Sequence, residues 1–595
     1  ALRYDTTGGN NTAVGFQALV TNSTGASNSA VGYNALAANT TGTNNTAFGT
    51  DALKTITTNS YCTAVGDFAL ATNTSQYMAA FGAQALGDNT TGTQSTGLGF
   101  RALRLNTTGN RNTAVGHDAM YTNTTGHYNT AVGNYALRLN TADYNCAVGD
   151  YALAANTTGT QNVAIGGGGP LSANTTGNYN TAVGAAALDA NTTGIENTAV
   201  GNGALSAAQT NCNTAIGFQA GANATAGYNV FAGTEAGENN TTATRCVYVG
   251  SHAGHSHTTG NDCTYIGTNA GDASTTQNSD VMVGTWAGNE ATAGDQTFVG
   301  QAAGRYNTTG VANTFVGRQA GMGDSTNKIT GGLNVGIGAY TLYDLTTGAN
   351  NTALGYQALY NNTTAGSNTA LGYRTGYTNT TGVNNIWIGN DAGYSQTTGV
   401  RNCMIGVNAG QDVTDGGDNV FIGYQAGYYN TATTTGDDNV YIGNFAKGSD
   451  PNEIKAIALG YNATGGGSNT FRVTASGGVY NTNNTSAWST TSDIRIKKNV
   501  VDCTTGLDKI NQLRVRNFEY RIKEEITDFD NPDAVVIEKE GLQVGVIAQE
   551  IAEVLPDTVE QMSTGAYTVN PDNLIWYLVN AVKELSAKVT ALESA

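Results

Sequence analysis

A glycine closes a short "NTAVG"-like string again and again along most of the chain: Gly15, Gly32, Gly49, Gly66 and so on to Gly443 and Gly460. There are 27 such glycines at a mean spacing of about 17 residues. A fixed period this short is the signature of a solenoid, in which each repeat is one coil that buries its apolar side only by stacking on its neighbours. "NTAVG" reads as a strand with a β-branched end and "FQAL" as a second extended piece. "NTTG" reads as a turn whose Asn and Gly tolerate positive φ. The expected fold is therefore mainly β, a parallel β-roll or β-solenoid of about 17-residue coils.

Two slots in the repeat trade volume. In the first half the slot two before the glycine is Ala (Ala13, Ala114, Ala131) and the slot four after it is Leu (Leu19, Leu36, Leu137). From Gly233 onward the first becomes large (Phe231, Tyr248, Tyr265, Phe298) and the second becomes Gly (Gly237, Gly254, Gly271). The order at the switches, Gly221 before Phe231 and Gly376 before Trp387, predicts that the later slot of one coil packs on the earlier slot of the next. Val or Ile directly before the glycine points to the opposite face of the same strand. Both faces are then apolar, and the second needs another chain to cover it.

This pattern stops near Thr491. Only 4 of the 79 glycines lie beyond it, whereas 11 of the 26 Lys and Arg do. Formal charge is −18 without a basic stripe, which argues against nucleic acid, and no apolar run is long enough to span a membrane. The seven cysteines, six of them in slots otherwise held by Asn or Thr such as Cys62, Cys246 and Cys263, read as reduced thiols. The Asn-X-Thr strings read as one turn per coil, not as glycosylation acceptors. The chain begins inside a repeat, so a preceding attachment segment is expected.

The tail has mixed α and β character: "GLDKINQL" has helical spacing, and "VGVIAQEIAEVLP" reads as strand then helix ended by Pro556. It closes on Ile575, Leu578, Val582, Leu585, Val589 and Leu592, whose gaps of three and four mark a coiled-coil seam. The expected domains are a solenoid over 1–466, a β-rich connector over 467–491 and a small α+β domain with a terminal coiled-coil helix over 492–595.

"NTAVGxxALxxNTTGxx" resembles the coils of trimeric autotransporter adhesin heads, with a longer period. The strings "SDIRIKKN", "GLDKINQL", "VGVIAQEIAEVLP" and "LVNAVKEL" resemble the C-terminal intramolecular chaperone of phage endosialidases, tailspikes and tail fibres, a self-cleaving peptidase family also found in myelin regulatory factor. That resemblance implies a homotrimer whose tail guides folding of the β-rich part and then cuts itself off. Carried over by residue, Ser492 is the nucleophile and Lys497 the base, the cut falls between Thr491 and Ser492, and Asp493, Arg495 and Asn499 have positioning roles. The dyad makes chemical sense, because a Ser hydroxyl needs a base and a Lys serves as one only when burial or nearby cations lower its pKa.

The implied protein is a virion tail fibre or comparable appendage, assembled in the host cytoplasm, with other virion tail proteins and a host-surface glycan receptor as partners. A polysaccharide-degrading tailspike and a bacterial trimeric surface adhesin are the alternatives. Aromatics just after the glycine, Tyr33, Tyr356, Tyr373 and Tyr424, are candidate receptor contacts, but packing between chains is the simpler explanation. His252, His255 and His257 read as solvated loop residues, so neither metal nor cofactor is expected. No carboxylate pair for glycoside hydrolysis stands out.

Overall fold

The computed structural model describes residues 2–429, 434–474, 499–528, 537, 539–561 and 565–595. The chain forms two compact units, residues 1–351 and 352–595. The first carries twenty three-residue strands from Thr12–Val14 to Val335–Ile337, and the second carries eight more from Thr352–Leu354 to Phe471–Val473. Within each unit neighbouring strands pair in parallel and residue for residue, as in Thr12↔Ser29, Ala13↔Ala30 and Val14↔Val31. The fold is the expected parallel β-solenoid. Among the described residues each coil, however, has one named strand: the "FQAL" stretch is a run of consecutive turns, not an extended segment.

Those turns need left-handed backbone at residues that seldom adopt it. Gln17 has φ 56° and Leu19 φ 48°, and the same two slots are positive in coil after coil. Such a conformation costs an L-residue about 1–2 kcal/mol. Full burial of the Leu side chain, worth about 1.5–3 kcal/mol, offsets it. Where Leu gives way to Gly237 (φ 59°) the strain disappears and Phe231 fills the space. A Cβ on Gly237 would lie 2.5 Å from the Phe231 ring and 2.7 Å from that of Tyr248. One on Gly376 would lie 2.8 Å from Trp387, in the next coil. Packing of the later slot on the following coil is thus as expected, and each aromatic also covers the glycine of its own coil. Leu19 and Trp387 are both fully buried.

The repeat glycine itself is required twice over. Gly15 has φ 125°, and a Cβ there would sit 2.5 Å from the Gly32 carbonyl oxygen of the next coil. The "NTTG" asparagine has a different role from the one its turn position suggests. Asn22 and Asn39 lack positive φ and are fully buried. The Asn39 Nδ2 donates to Asn22 Oδ1 at 2.8 Å and to the Gly42 carbonyl at 3.1 Å. This amide ladder runs unbroken from Asn73 to Asn191, with each Nδ2 donating to the Oδ1 one coil earlier at 2.6–3.4 Å. Burial of Asn39 also removes it as a glycosylation acceptor in the folded chain. A second column stands just before each strand: Asn28 Oδ1 accepts the Asn45 N–H at 3.0 Å, and its Nδ2 donates to the Gly42 carbonyl at 2.8 Å. Cys62, Cys246 and Cys263 occupy this second column as buried free thiols. Paired amides offset much of the desolvation cost of burying polar groups in a coil with a thin apolar filling.

The middle residue of each strand faces this interior and its flanking Val, Ile, Leu or Phe faces out. Val14 is 58% exposed and Ile216 51%, and Phe48, Leu98 and Leu354 share that face. The second apolar face predicted from the alternation is therefore present and uncovered in a single chain.

Candidate functional site

The residues of the proposed dyad and cut, Thr491, Ser492, Asp493, Arg495 and Lys497, lie outside the described residues. Asn499 is described; it is exposed with φ 57°. Downstream come helix α1 (Leu507–Ile510), helix α2 (Ala548–Val554) and helix α3 (Pro571–Glu593), with antiparallel pairs Arg516–Phe518 to Gln543–Gly545 and Val559–Gln561 to Tyr567–Val569. Strand then helix closed by Pro556 is what "VGVIAQEIAEVLP" predicts, whereas α1 is only one turn long. Among the described residues no helix is long and apolar enough to cross a membrane.

Helix α3 holds its own chain with polar groups. Asn580 Nδ2 donates to the Cys503 carbonyl at 2.9 Å, and Glu584 Oε2 accepts the Leu507 N–H at 3.0 Å. A Cβ on Gly506 would meet the Glu584 carboxylate and push it off its place at the Leu507 N–H. Tyr577 donates to the Asp557 carboxylate, which holds the phenol in its protonated form and pushes its pKa up to about 12, while Asn573 Nδ2 donates to the Asp557 carbonyl at 3.1 Å. Arg516 grips Glu550 with two bonds, 2.6 and 3.1 Å, tying the first strand of this region to α2. That guanidinium pulls the Glu550 carboxyl below its usual range.

Residues 573, 577, 580 and 584 repeat at gaps of four, three and four, so they share one side of α3. The seam Ile575, Leu578, Val582, Leu585, Val589 and Leu592 falls on roughly the opposite side and is exposed throughout, Val582 at 58% and Leu592 at 79%. Little is buried elsewhere: among the described residues beyond Asn499 only Gly506, Ile551, Leu555, Thr558 and Ala581 are buried. Val501, Val515, Leu542, Val544 and Trp576 are all exposed. The polar docking face was legible as a second heptad register in "NLIWYLVNAVKEL" but is overshadowed there by the apolar one.

The remaining sequence candidates are placed as follows. Tyr33 stacks on Phe16 at 5.5 Å and Tyr356 on Tyr373 at 5.5 Å, while Tyr424 meets Phe445 edge-on at 5.2 Å. All four tyrosines are exposed. A longer row, Tyr360, Tyr377 and Tyr394, stacks at 5.1 Å per step and was missed because its slot lies five residues after the glycine. The three histidines separate. His257 is a core residue, not a solvated one: its Nδ1 meets the Tyr248 hydroxyl at 2.5 Å and its Nε2 the Gln277 carbonyl at 3.1 Å. Burial lowers its pKa and keeps it neutral. His252 and His255 face outward.

Compared with known families, residues 492–560 match the family described as the chaperone of endosialidase, a peptidase family. The match supports an intramolecular chaperone domain of this self-cleaving type over those residues, which follow a parallel β-solenoid along the chain.

Proposed function

We propose that this chain is the protomer of a homotrimeric virion tail fibre or comparable appendage for host attachment, folded by its C-terminal domain, which then releases itself by cutting before Ser492. The observation that carries this reading is the pair of uncovered apolar surfaces, one along the solenoid strands and one along α3, in a chain whose tail matches a folding chaperone. A domain with so little buried of its own would gain its core by association, and a seam of nearly three heptads supports association at the C-terminus. Long parallel solenoids contain many register-sensitive pairings, so a trimeric template that fixes register first suits the fold. Its removal would leave a kinetically trapped shaft.

The proposed cut follows from where the nucleophile sits. Ser492 Oγ attacks the Thr491 carbonyl carbon, Lys497 accepts the hydroxyl proton, and the amide nitrogen of Ser492 leaves with that proton as a free amine. The resulting ester is then hydrolysed by water, leaving a carboxylate on Thr491 and restoring the hydroxyl. Denaturing gels of wild type, Ser492→Ala and Lys497→Ala test this. Wild type should release a fragment spanning residues 492–595 while both variants stay whole; identical patterns in all three would remove the dyad. Sedimentation of the uncut Ser492→Ala chain should give a trimer, and a monomer would remove the assembly.

A further inference from the structure

The outward histidines belong to a cluster built by the coil geometry. Positions two and five after the repeat glycine project to the same outer side, because the left-handed turn between them (φ 56° at Glu235, 57° at His252) folds the chain back. After Gly233 those positions are Glu235 and Glu238, after Gly250 they are His252 and His255, and after Gly267 the second is Asp272. Parallel stacking then lays one tier over the next. His252 Nε2 lies 2.8 Å from Glu235 Oε2, and His255 Nε2 lies 3.1 Å from Glu238 Oε2. Donor atoms of Glu235, Glu238 and His255 all lie within 4.8 Å of one another, and the two imidazole rings are 5.5 Å apart.

We propose that Glu235, Glu238 and His255 bind one divalent transition-metal ion of the zinc class on the outside of the solenoid, with water completing the shell. One imidazole nitrogen and two carboxylate oxygens, with a water in the fourth position, form a donor set suited to tetrahedral Zn²⁺, whose bonds of about 2.0–2.2 Å separate the ligand atoms by about 3.4 Å. The His255–Glu238 pair at 3.1 Å is already near that spacing, and His252, 2.8 Å from Glu235, holds that carboxylate in place. A second observation points the same way: the other ring nitrogen of each histidine also faces a polar side chain. His252 Nδ1 meets Ser251 Oγ at 2.9 Å, and His255 Nδ1 faces Asp272 Oδ1 at 3.7 Å. Outer partners of this kind fix ring orientation and leave the His255 Nε2 to the metal. Asp272 is thus a positioning residue, and the bound ion would cross-link consecutive coils.

The chain has five histidines, and the others are poorly placed to join. His257 is in the core, His127 receives the Asn110 N–H at 3.0 Å, and His117 stacks on Phe100. Titration of the chelator-stripped full chain with Co²⁺ and Zn²⁺ at pH 7.5 is therefore decisive. One equivalent should bind, Co²⁺ should give tetrahedral visible bands, and Zn²⁺ should slow amide exchange in Val247–Val249. Binding should vanish in His252→Ala/His255→Ala, weaken about tenfold in Asp272→Asn, and be unchanged in His117→Ala. No tetrahedral Co²⁺ bands in wild type, or binding that survives the double histidine variant, would overturn the proposal.

Discussion

In the second amide column one rung is an acid. Asp280 stands where other coils have Asn, buried, with Oδ1 accepting the Gln296 N–H at 2.8 Å and Oδ2 facing the Tyr265 hydroxyl at 3.3 Å. Burial, with a smaller contribution from nearby Asp295, pushes its pKa up to about 7 from 3.8. Between those values the folded chain keeps a proton that the unfolded chain has released. Stability therefore falls as pH rises through this window and stays flat above about 7. The displacement corresponds to roughly 4 kcal/mol at most. Asp280→Asn removes the titration and restores the rung found in most coils. Because a solenoid opens locally, the effect should appear at neighbouring amides: Thr264 and Val281, which bond to the Asp280 and Gln296 carbonyls at 2.8 Å. Hydrogen-exchange protection factors, corrected for intrinsic rates, should rise in the variant by up to about a thousandfold at pH 8 and hardly change at pH 4. Any loss of the Tyr265 contact is common to both pH values and cancels in the comparison. A variant-to-wild-type ratio that is the same at pH 4 and pH 8 would refute the reasoning.

Other perturbations probe the remaining columns and the helix seam. Asn106→Ala leaves Asn123 Nδ2 without its 3.0 Å acceptor and Asn89 Oδ1 without its 2.6 Å donor, and should cost about 2–4 kcal/mol in local opening by hydrogen exchange. Gly237→Ala forces a methyl into the Phe231 ring and should cost about 1–3 kcal/mol, with Phe231→Ala/Gly237→Leu recovering more than the two single changes allow in a double-mutant cycle. Leu578→Asp/Leu585→Asp puts charge on the exposed seam of α3 and should shift the sedimenting species to smaller size while the polar docking face stays intact. Arg516→Ala frees Glu550, whose depressed pKa should return toward its usual range in a carboxyl NMR titration.

The strand, its parallel register and its inward Ala were readable from "NTAVG" because a period of two on a three-residue strand leaves little choice of face. The volume trade between Ala13-type and Leu19-type slots was readable for a related reason: a close-packed interior makes a loss in one slot appear as a gain in another. What escaped was backbone conformation. Nothing in "FQAL" signals that Gln and Leu sit at positive φ, since both are ordinary residues whose local preference opposes it. The later substitution of that Leu by Gly237, Gly254 and Gly271 was the available clue, and volume alone seemed to explain it. The asparagines misled differently, because an Asn before Thr-Thr-Gly is equally good as a turn former and as a buried amide.

The same limit governs the C-terminal region. A seam of heptad spacing is visible in any sequence, but whether the opposite side of that helix is solvated or docked depends on partners distant in the chain. Leu507 and Cys503 reach Glu584 and Asn580 across more than seventy residues. That polar docking has a consequence for assembly. Hydrogen bonds hold α3 to its own chain before any partner arrives, so the apolar seam is presented already oriented, and association need not also fold the helix. In the proposed assembly, a trimer formed on pre-docked helices would pay less ordering entropy than one formed from free chain ends, which suits a nucleus that sets the register of the solenoid.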